Sequence, residues 1–196
     1  MIEEVKHYGI FRVDLMRASL KLPHEEISKY CLSMIEGSGG YTTFHDDALN
    51  KKFKENFPYK EDFENDLCQA ADKFVKETLR APFEKGGGHS LNYWCSAYNE
   101  GDYHDSHIHP RSLISGTYYP QVSIDTSAIT FEAPYTSRLM HDTLNMRFIV
   151  FDYKPQSGEC LLWPSWLDHR VARQGACEKP RIAISFNIDY KENVLF

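Results

Sequence analysis

The chain has 196 residues, 42% of them apolar and 26% charged, enough for one domain with a sizeable core. A formal net charge of −6 argues against a nucleic-acid partner and mildly against any anionic polymer as substrate. Five scattered cysteines, odd in number and without a CxxC, argue against a disulfide framework and fit a reducing compartment.

The opening "MIEEVKHYGIF" has neither a basic leader nor a long apolar core, and no apolar run approaches the length of a membrane span. The expectation is a cytoplasmic protein with no membrane partner. "YGIFRVDL" reads as a short first strand. "LPHEEISKYCLSMIEG" reads as a helix, with Pro23 near its start, acids in its first turn and Gly37 at its end. "GSGGYTTFHDDALN" reads as a break, and "KKFKENFPYK" as a solvated surface segment. "KEDFENDLCQAADKFVKETLRAP" is the clearest helix. Phe63, Leu67, Ala70, Phe74 and Val75 form its apolar stripe, and Pro82 should end it.

After "GGGH" the texture changes to short β-rich runs: "SLNYWCSAY", "LISGTYY", "QVSID", "AITFEA", "MRFIVFDY", "CLLW", "HRVA" and "RIAISFNIDY". About eight strands with turn punctuation point to a sandwich, jelly roll or barrel. The expected organisation is one domain over 1–196, with a helical support region in 1–85 and a β core in 86–196.

The chemistry concentrates in "HDSHIHPRSLISGTYY", residues 104 to 119. His107 and His109 alternate, so on a strand both face one way. A third histidine, His169, follows sixty residues later in "WPSWLDHRVA", too far for a zinc finger but suited to ligands on an early and a late barrel strand. Farther on, Arg181, Ala183, Ser185 and Asn187 share one face of "RIAISFN", opposite Ile182, Ile184, Phe186 and Ile188. An arginine, a small residue and a hydroxyl on one face suit a carboxylate ligand, because a guanidinium grips it with two hydrogen bonds.

The order of these pieces, a tyrosine, His-x-ligand, an aromatic strand, "P-S…H-x-V" and "R-x-A-I-S", resembles the iron(II)- and 2-oxoglutarate-dependent oxygenases, in their prolyl-4-hydroxylase-like branch. "HIHP…SGTYY" and "WPSWLDHRV…RIAISFN" are similar to a bacterial and phage subfamily of these enzymes, over roughly residues 90 to 190. The resemblance implies a double-stranded β-helix, a jelly-roll barrel of cupin type supported by helices. It implies Fe(II) and 2-oxoglutarate as cofactors, and O2 plus a substrate, either a small molecule or a protein side chain. That substrate would be hydroxylated as 2-oxoglutarate becomes succinate and CO2. It makes His107 the first iron ligand and His169 the distal one. Arg181 would hold the far carboxylate of 2-oxoglutarate, with hydroxyls from Ser185 and Tyr119, and Tyr98 nearby.

The family's usual His-x-Asp or His-x-Glu is here His107-Ile108-His109. Either His109 completes the site, which its register favours, or Asp105, of the same parity as His107, bends in. Asn92, Trp94, Arg138 and Asn187 are expected to line the substrate pocket, with 132–145 as a loop over the barrel mouth. His7, His24, His45, His89 and His141 read as ordinary structural histidines, and His104 as an exposed neighbour of the ligand strand. Two other functions fit less well: a cupin-like three-histidine metalloenzyme without 2-oxoglutarate, and a non-catalytic binding barrel. The Arg181–Ser185 face argues against the first, and two histidines kept together with that arginine and serine argue against the second.

Overall fold

The computed structural model describes residues 13–36, 41–79, 88–134 and 150–190. Pro82, Arg138, His7 and His141 lie outside them, as does most of the expected mouth loop.

Among the described residues, three helices lie between the first strand and the others. α1 spans His24–Ile35 and buries Ile27, Cys31 and Met34, at the spacing of one helix face. α2, Asp47–Glu55, corrects the sequence reading, which placed a break and a solvated segment there. Asp46 starts it by accepting the backbone N–H of Leu49 at 2.9 Å, while Lys51 and Lys52 face water and Phe53 is fully buried. α3, Lys60–Lys73, continues as a π-helical turn to Leu79 and buries Phe63, Leu67, Ala70, Phe74 and Val75, the expected stripe.

The strands are β1 Met16–Ser19, β2 His89–Tyr98, β3 His104–His107, β4 Ile114–Gln121, β5 Ile129–Glu132, β6 Val150–Tyr153, β7 Glu159–Pro164, β8 His169–Val171 and β9 Arg181–Tyr190. They form two antiparallel sheets, β1-β7-β4-β9-β2 and β3-β8-β5-β6, the jelly-roll arrangement of a double-stranded β-helix. Of the expected strand over 8–15, residues 8–12 lie outside the described residues and 13–15 are not in a strand; β1 follows at Met16 and pairs with β7, so the chain ahead of residue 85 contributes a strand as well as helices. "QVSID" is no separate strand: Gln121 ends β4, and a turn follows.

Two cores follow from the alternation of β9. Ile182, Ile184, Phe186 and Ile188 pack outward against Ile27, Phe53, Phe63, Leu67 and Phe74 of the helices. The residues between them face the second sheet, where Tyr98, Tyr119, Phe131, Leu161, Trp163 and Val171 form a smaller core. β2 and β9 pair without interruption from His89↔Tyr190 to Tyr98↔Arg181, so the site-bearing face of β9 sits on the longest ladder of the sheet.

Gly116 of β4 is opposite Phe186, and an added Cβ would stand 2.2 Å from the Phe186 ring and 2.5 Å from the Leu161 carbonyl. Gly116→Ala is expected to destabilise the protein by roughly 1–3 kcal/mol, the usual cost of overpacking, read as a lowered urea midpoint. An unchanged midpoint would mean that Phe186 moves aside freely.

Candidate metal and cosubstrate site

The inner faces of the sheets enclose a cavity of about 440 Å³. At one end, His107, His109 and His169 each bring a ring nitrogen to within 4.8 Å of the others. His107 closes β3 and His169 opens β8, and the two are cross-strand partners. His109 lies two residues beyond the strand, held by its backbone N–H donating to the Ser165 carbonyl at 2.9 Å. Alternation nevertheless persists, with Ile108 43% exposed between two half-buried histidines.

Asp105 is not part of the group. The ladder runs His104↔Val171 and then His107↔His169, three residues against two, so β3 carries a bulge. The bulge breaks the simple parity and leaves Asp105 exposed; its backbone carbonyl, at 2.8 Å from His107 Nδ1, takes that proton. His169 Nδ1 donates likewise to the Leu167 carbonyl at 2.9 Å. Both rings therefore keep a bare Nε2 for a cation. His109 Nε2 stands 3.3 Å from His169 Nε2. Neighbouring ligands at about 2.1 Å from one ion stand about 3 Å apart, so the three imidazoles fit a divalent transition metal.

The electrostatics agree. Burial, and then the neighbouring His107, lower the His169 pKa to about 3. Burial, then His107 and His104, take His109 to about 4. Both rings are neutral at pH 7, the form that binds metal. His104 is no exposed bystander: it is half-buried, its ring 4.1 Å from that of His107, and burial takes its pKa to about 4. Trp163 meets His169 edge-on at 4.8 Å, and Trp94 lies 5.9 Å from His109, so aromatic walls shield the group from water.

At the other end, Arg181 is 2% exposed. Its Nη1 donates to the Ser127 carbonyl at 2.9 Å and its Nη2 to the Tyr119 hydroxyl at 3.2 Å. The rings of Tyr119 and Tyr98 flank it at 4.9 and 5.6 Å. Its Nε has no partner, and no carboxylate among the described residues pairs with it. A buried guanidinium balanced only by neutral acceptors is costly unless an anion joins it. Tyr98 and Tyr119 are pushed up by burial, Tyr98 to about 12, so both remain neutral phenols. Ser185 lines the same cavity, 3.3 Å from the Thr117 hydroxyl.

Of the expected pocket residues, Trp94 and Asn92 line the cavity, Asn92 accepting from Lys54 at 3.2 Å. Asn187 lines it too, but its amide contacts His109 at 3.2 Å. The sequence reading missed Trp163, Thr117 and the stretch around Tyr41, Phe44 and His45, all of which line the cavity. The stretch from Tyr41 lies beside β2 through the bridge Thr42↔Ser96; the aromatic cluster "YTTFH" was the only local sign of it. The remaining described histidines have ordinary partners, His24 with Tyr118 and His89 with Asp72.

Residues 92–187 match the profile of the family described as "Putative 2OG-Fe(II) oxygenase". No curated protein sequence matches the chain. Among solved structures, the chain is similar to a Pseudomonas putida prolyl-4-hydroxylase (TM-score 0.54, 11% identity, 91% of this chain and 87% of that one). It is also similar to a Trichoplax adhaerens prolyl hydroxylase in complex with a hypoxia inducible factor peptide fragment (0.57, 13%, 92% and 84%). HygX from Streptomyces hygroscopicus, with nickel and 2-oxoglutarate bound, is a third (0.52, 11%, 90% and 81%). At such identities these likenesses speak to the fold, which they share across nearly the whole chain. No helix among the described residues is long and apolar enough to cross a membrane. Through residues 92–187, with the barrel and its histidine cluster around them, the chain belongs to the 2OG-Fe(II) oxygenase family and is an Fe(II)- and 2-oxoglutarate-dependent oxygenase.

Proposed function

We propose that His107, His109 and His169 hold iron(II), that Arg181 receives the far carboxylate of 2-oxoglutarate, and that the enzyme hydroxylates a C–H bond of its substrate. The observation that carries this reading is the buried Arg181 guanidinium, without a carboxylate among the described residues, in the same cavity as the three imidazoles. Bound iron and 2-oxoglutarate supply the oxidation: O2, 2-oxoglutarate and the substrate C–H become succinate, CO2 and the alcohol.

The residues bind, orient and exclude water. Arg181 fixes the direction of the dicarboxylate, because its two terminal nitrogens form a planar fork. Tyr119 accepts from that fork, and its phenol and the Ser185 hydroxyl are in place to donate to the same carboxylate. The carbonyl contacts of His107 and His169 aim their Nε2 atoms before a metal arrives. Trp94, Phe131 and Trp163 keep the histidine end dry, which strengthens the interactions inside.

The substrate enters beside Asn92, Trp94, Phe44 and Ile108. Apart from Arg181 and the histidines, the described residues that line the cavity include no ionisable acid or base except tyrosine phenols. The reacting part of the substrate is therefore uncharged, whether it belongs to a small molecule or to a protein side chain. Arg138 stays a candidate contact on the sequence alone.

Anaerobic titration of the Fe(II)-loaded protein with 2-oxoglutarate tests the reading. A visible metal-to-ligand charge-transfer band should grow and saturate. Iron bound without a band would favour a three-histidine enzyme of cupin type, and no iron uptake would favour a binding barrel.

A further inference from the structure

Asn187 has a second task, which rests on the reading of His109 as a ligand. Its amide nitrogen stands 3.2 Å from His109 Nδ1, and its amide oxygen is 2.8 Å from the Ser115 hydroxyl. Ser115 in turn is 2.8 Å from the Ser165 hydroxyl, and the Ser165 carbonyl accepts the backbone N–H of His109. The four residues form a loop that starts and ends on His109. Ser115 and Ser165 are 1% and 0% exposed, so their hydroxyls have no water to turn to.

The loop admits two arrangements of its protons. In the first, the Asn187 amide donates to His109 Nδ1, Ser115 donates to Asn187, and Ser165 donates to Ser115. Neutral His109 then carries its proton on Nε2, pointed at the bare Nε2 of His169 at 3.3 Å, and it cannot ligate there. In the second, a half-turn of the amide exchanges its oxygen and nitrogen. His109 Nδ1–H donates to the amide oxygen, the amide donates to Ser115, and Ser115 donates to Ser165. Each of the three contacts then has one donor and one acceptor, and His109 Nε2 is bare.

We propose that Asn187 is the positioning residue of the third ligand: metal binding selects the second arrangement, moving one proton from Nε2 to Nδ1 of His109 with no change in its charge. The amide thereby does for His109 what backbone carbonyls do for His107 and His169. A neutral ligand replaces the carboxylate of the usual motif, and Asn187 is the partner that such a ligand needs.

Zinc titration of the full chain, ¹⁵N-labelled at histidine and read by long-range ¹H–¹⁵N correlation, tests this without turnover. On loading with zinc, His109 should pass from the Nε2–H to the Nδ1–H pattern. Asn187→Leu should weaken zinc binding by roughly 10–100-fold, the usual cost of losing such a partner. Asn187→Asp, which offers only acceptors, should hold His109 as Nδ1–H even without zinc and bind zinc at least as well as wild type. If zinc shifts His107 and His169 but not His109, the ligand reading itself fails. If His109 ligates zinc and Asn187→Leu binds it as tightly as wild type, the role of Asn187 fails alone. A poorly folded Asn187→Leu leaves the Asn187→Asp comparison to decide, and a metal-free Nε2–H pattern there overturns the proposal.

Discussion

Arg181→Met is expected to weaken 2-oxoglutarate binding by roughly 100-fold or more, in line with the 2–5 kcal/mol lost when one partner of a buried charge pair is removed. The same variant should be no less stable than wild type when 2-oxoglutarate is withheld. The reason is the environment of the guanidinium. It is 2% exposed, its Nε is unpartnered, and Ser127 and Tyr119 offer it only neutral acceptors. Such a charge is held against its desolvation cost, and an uncharged, flexible thioether removes that cost while still packing against Tyr98 and Tyr119. Arg181→Lys should fall between, keeping the charge and losing the fork. The charge-transfer titration reads the affinity and a thermal melt reads the stability. A large stability loss in Arg181→Met with unchanged affinity would make Arg181 a structural residue and remove the cosubstrate reading.

Acidification should destabilise the metal-free protein steeply, and the direction follows from the shifts. The His169 pKa is about 3 in the fold, against 6.5 for an ordinary histidine. Between those values the unfolded chain binds a proton that the native chain does not, so stability is full above about pH 6.5 and is lost as pH falls through the window. Each such proton is worth about 1.4 kcal/mol per pH unit, so His169 alone costs about 2 kcal/mol between pH 7 and pH 5. His109 and His104 add to this in the same sense, by less, because both are only half-buried and water screens them. Against the 5–15 kcal/mol of a typical domain, the sum is a large fraction. Melting temperatures at a series of pH values should show the fall, a bound divalent metal should move it to lower pH, and His169→Asn should flatten it. A flat profile in wild type would mean that water reaches the imidazoles.

Much of the fold and part of the site were legible because they depend on short-range patterns. The period of two along "RIAISFNIDY" put Arg181, Ser185 and Asn187 on one face and the isoleucines on the other, and the structure keeps that division between its two cores. The stripe from Phe63 to Val75 was equally local. The nine-residue α2 escaped notice because its lysines dominate the composition, although Asp46 at its start and Phe53 on its buried side are the residues that make it a helix.

Local pattern did not reach the rest. Parity allowed Asp105 beside His107, and the extra residue in β3, set by pairing with β8, leaves Asp105 exposed. Asn187 read as a pocket residue because its partner His109 is 78 residues away, and only the stacking of β9 against the turn after β3 brings them together. Trp163 and the segment at Tyr41–His45 enter the cavity for the same reason. By itself, then, the sequence determined which faces are apolar and which side chains can serve a metal and a carboxylate, since both are properties of neighbouring residues. Which candidates meet was decided by strand pairing across the whole chain, because a ligand set is a matter of distances between segments that no local period encodes.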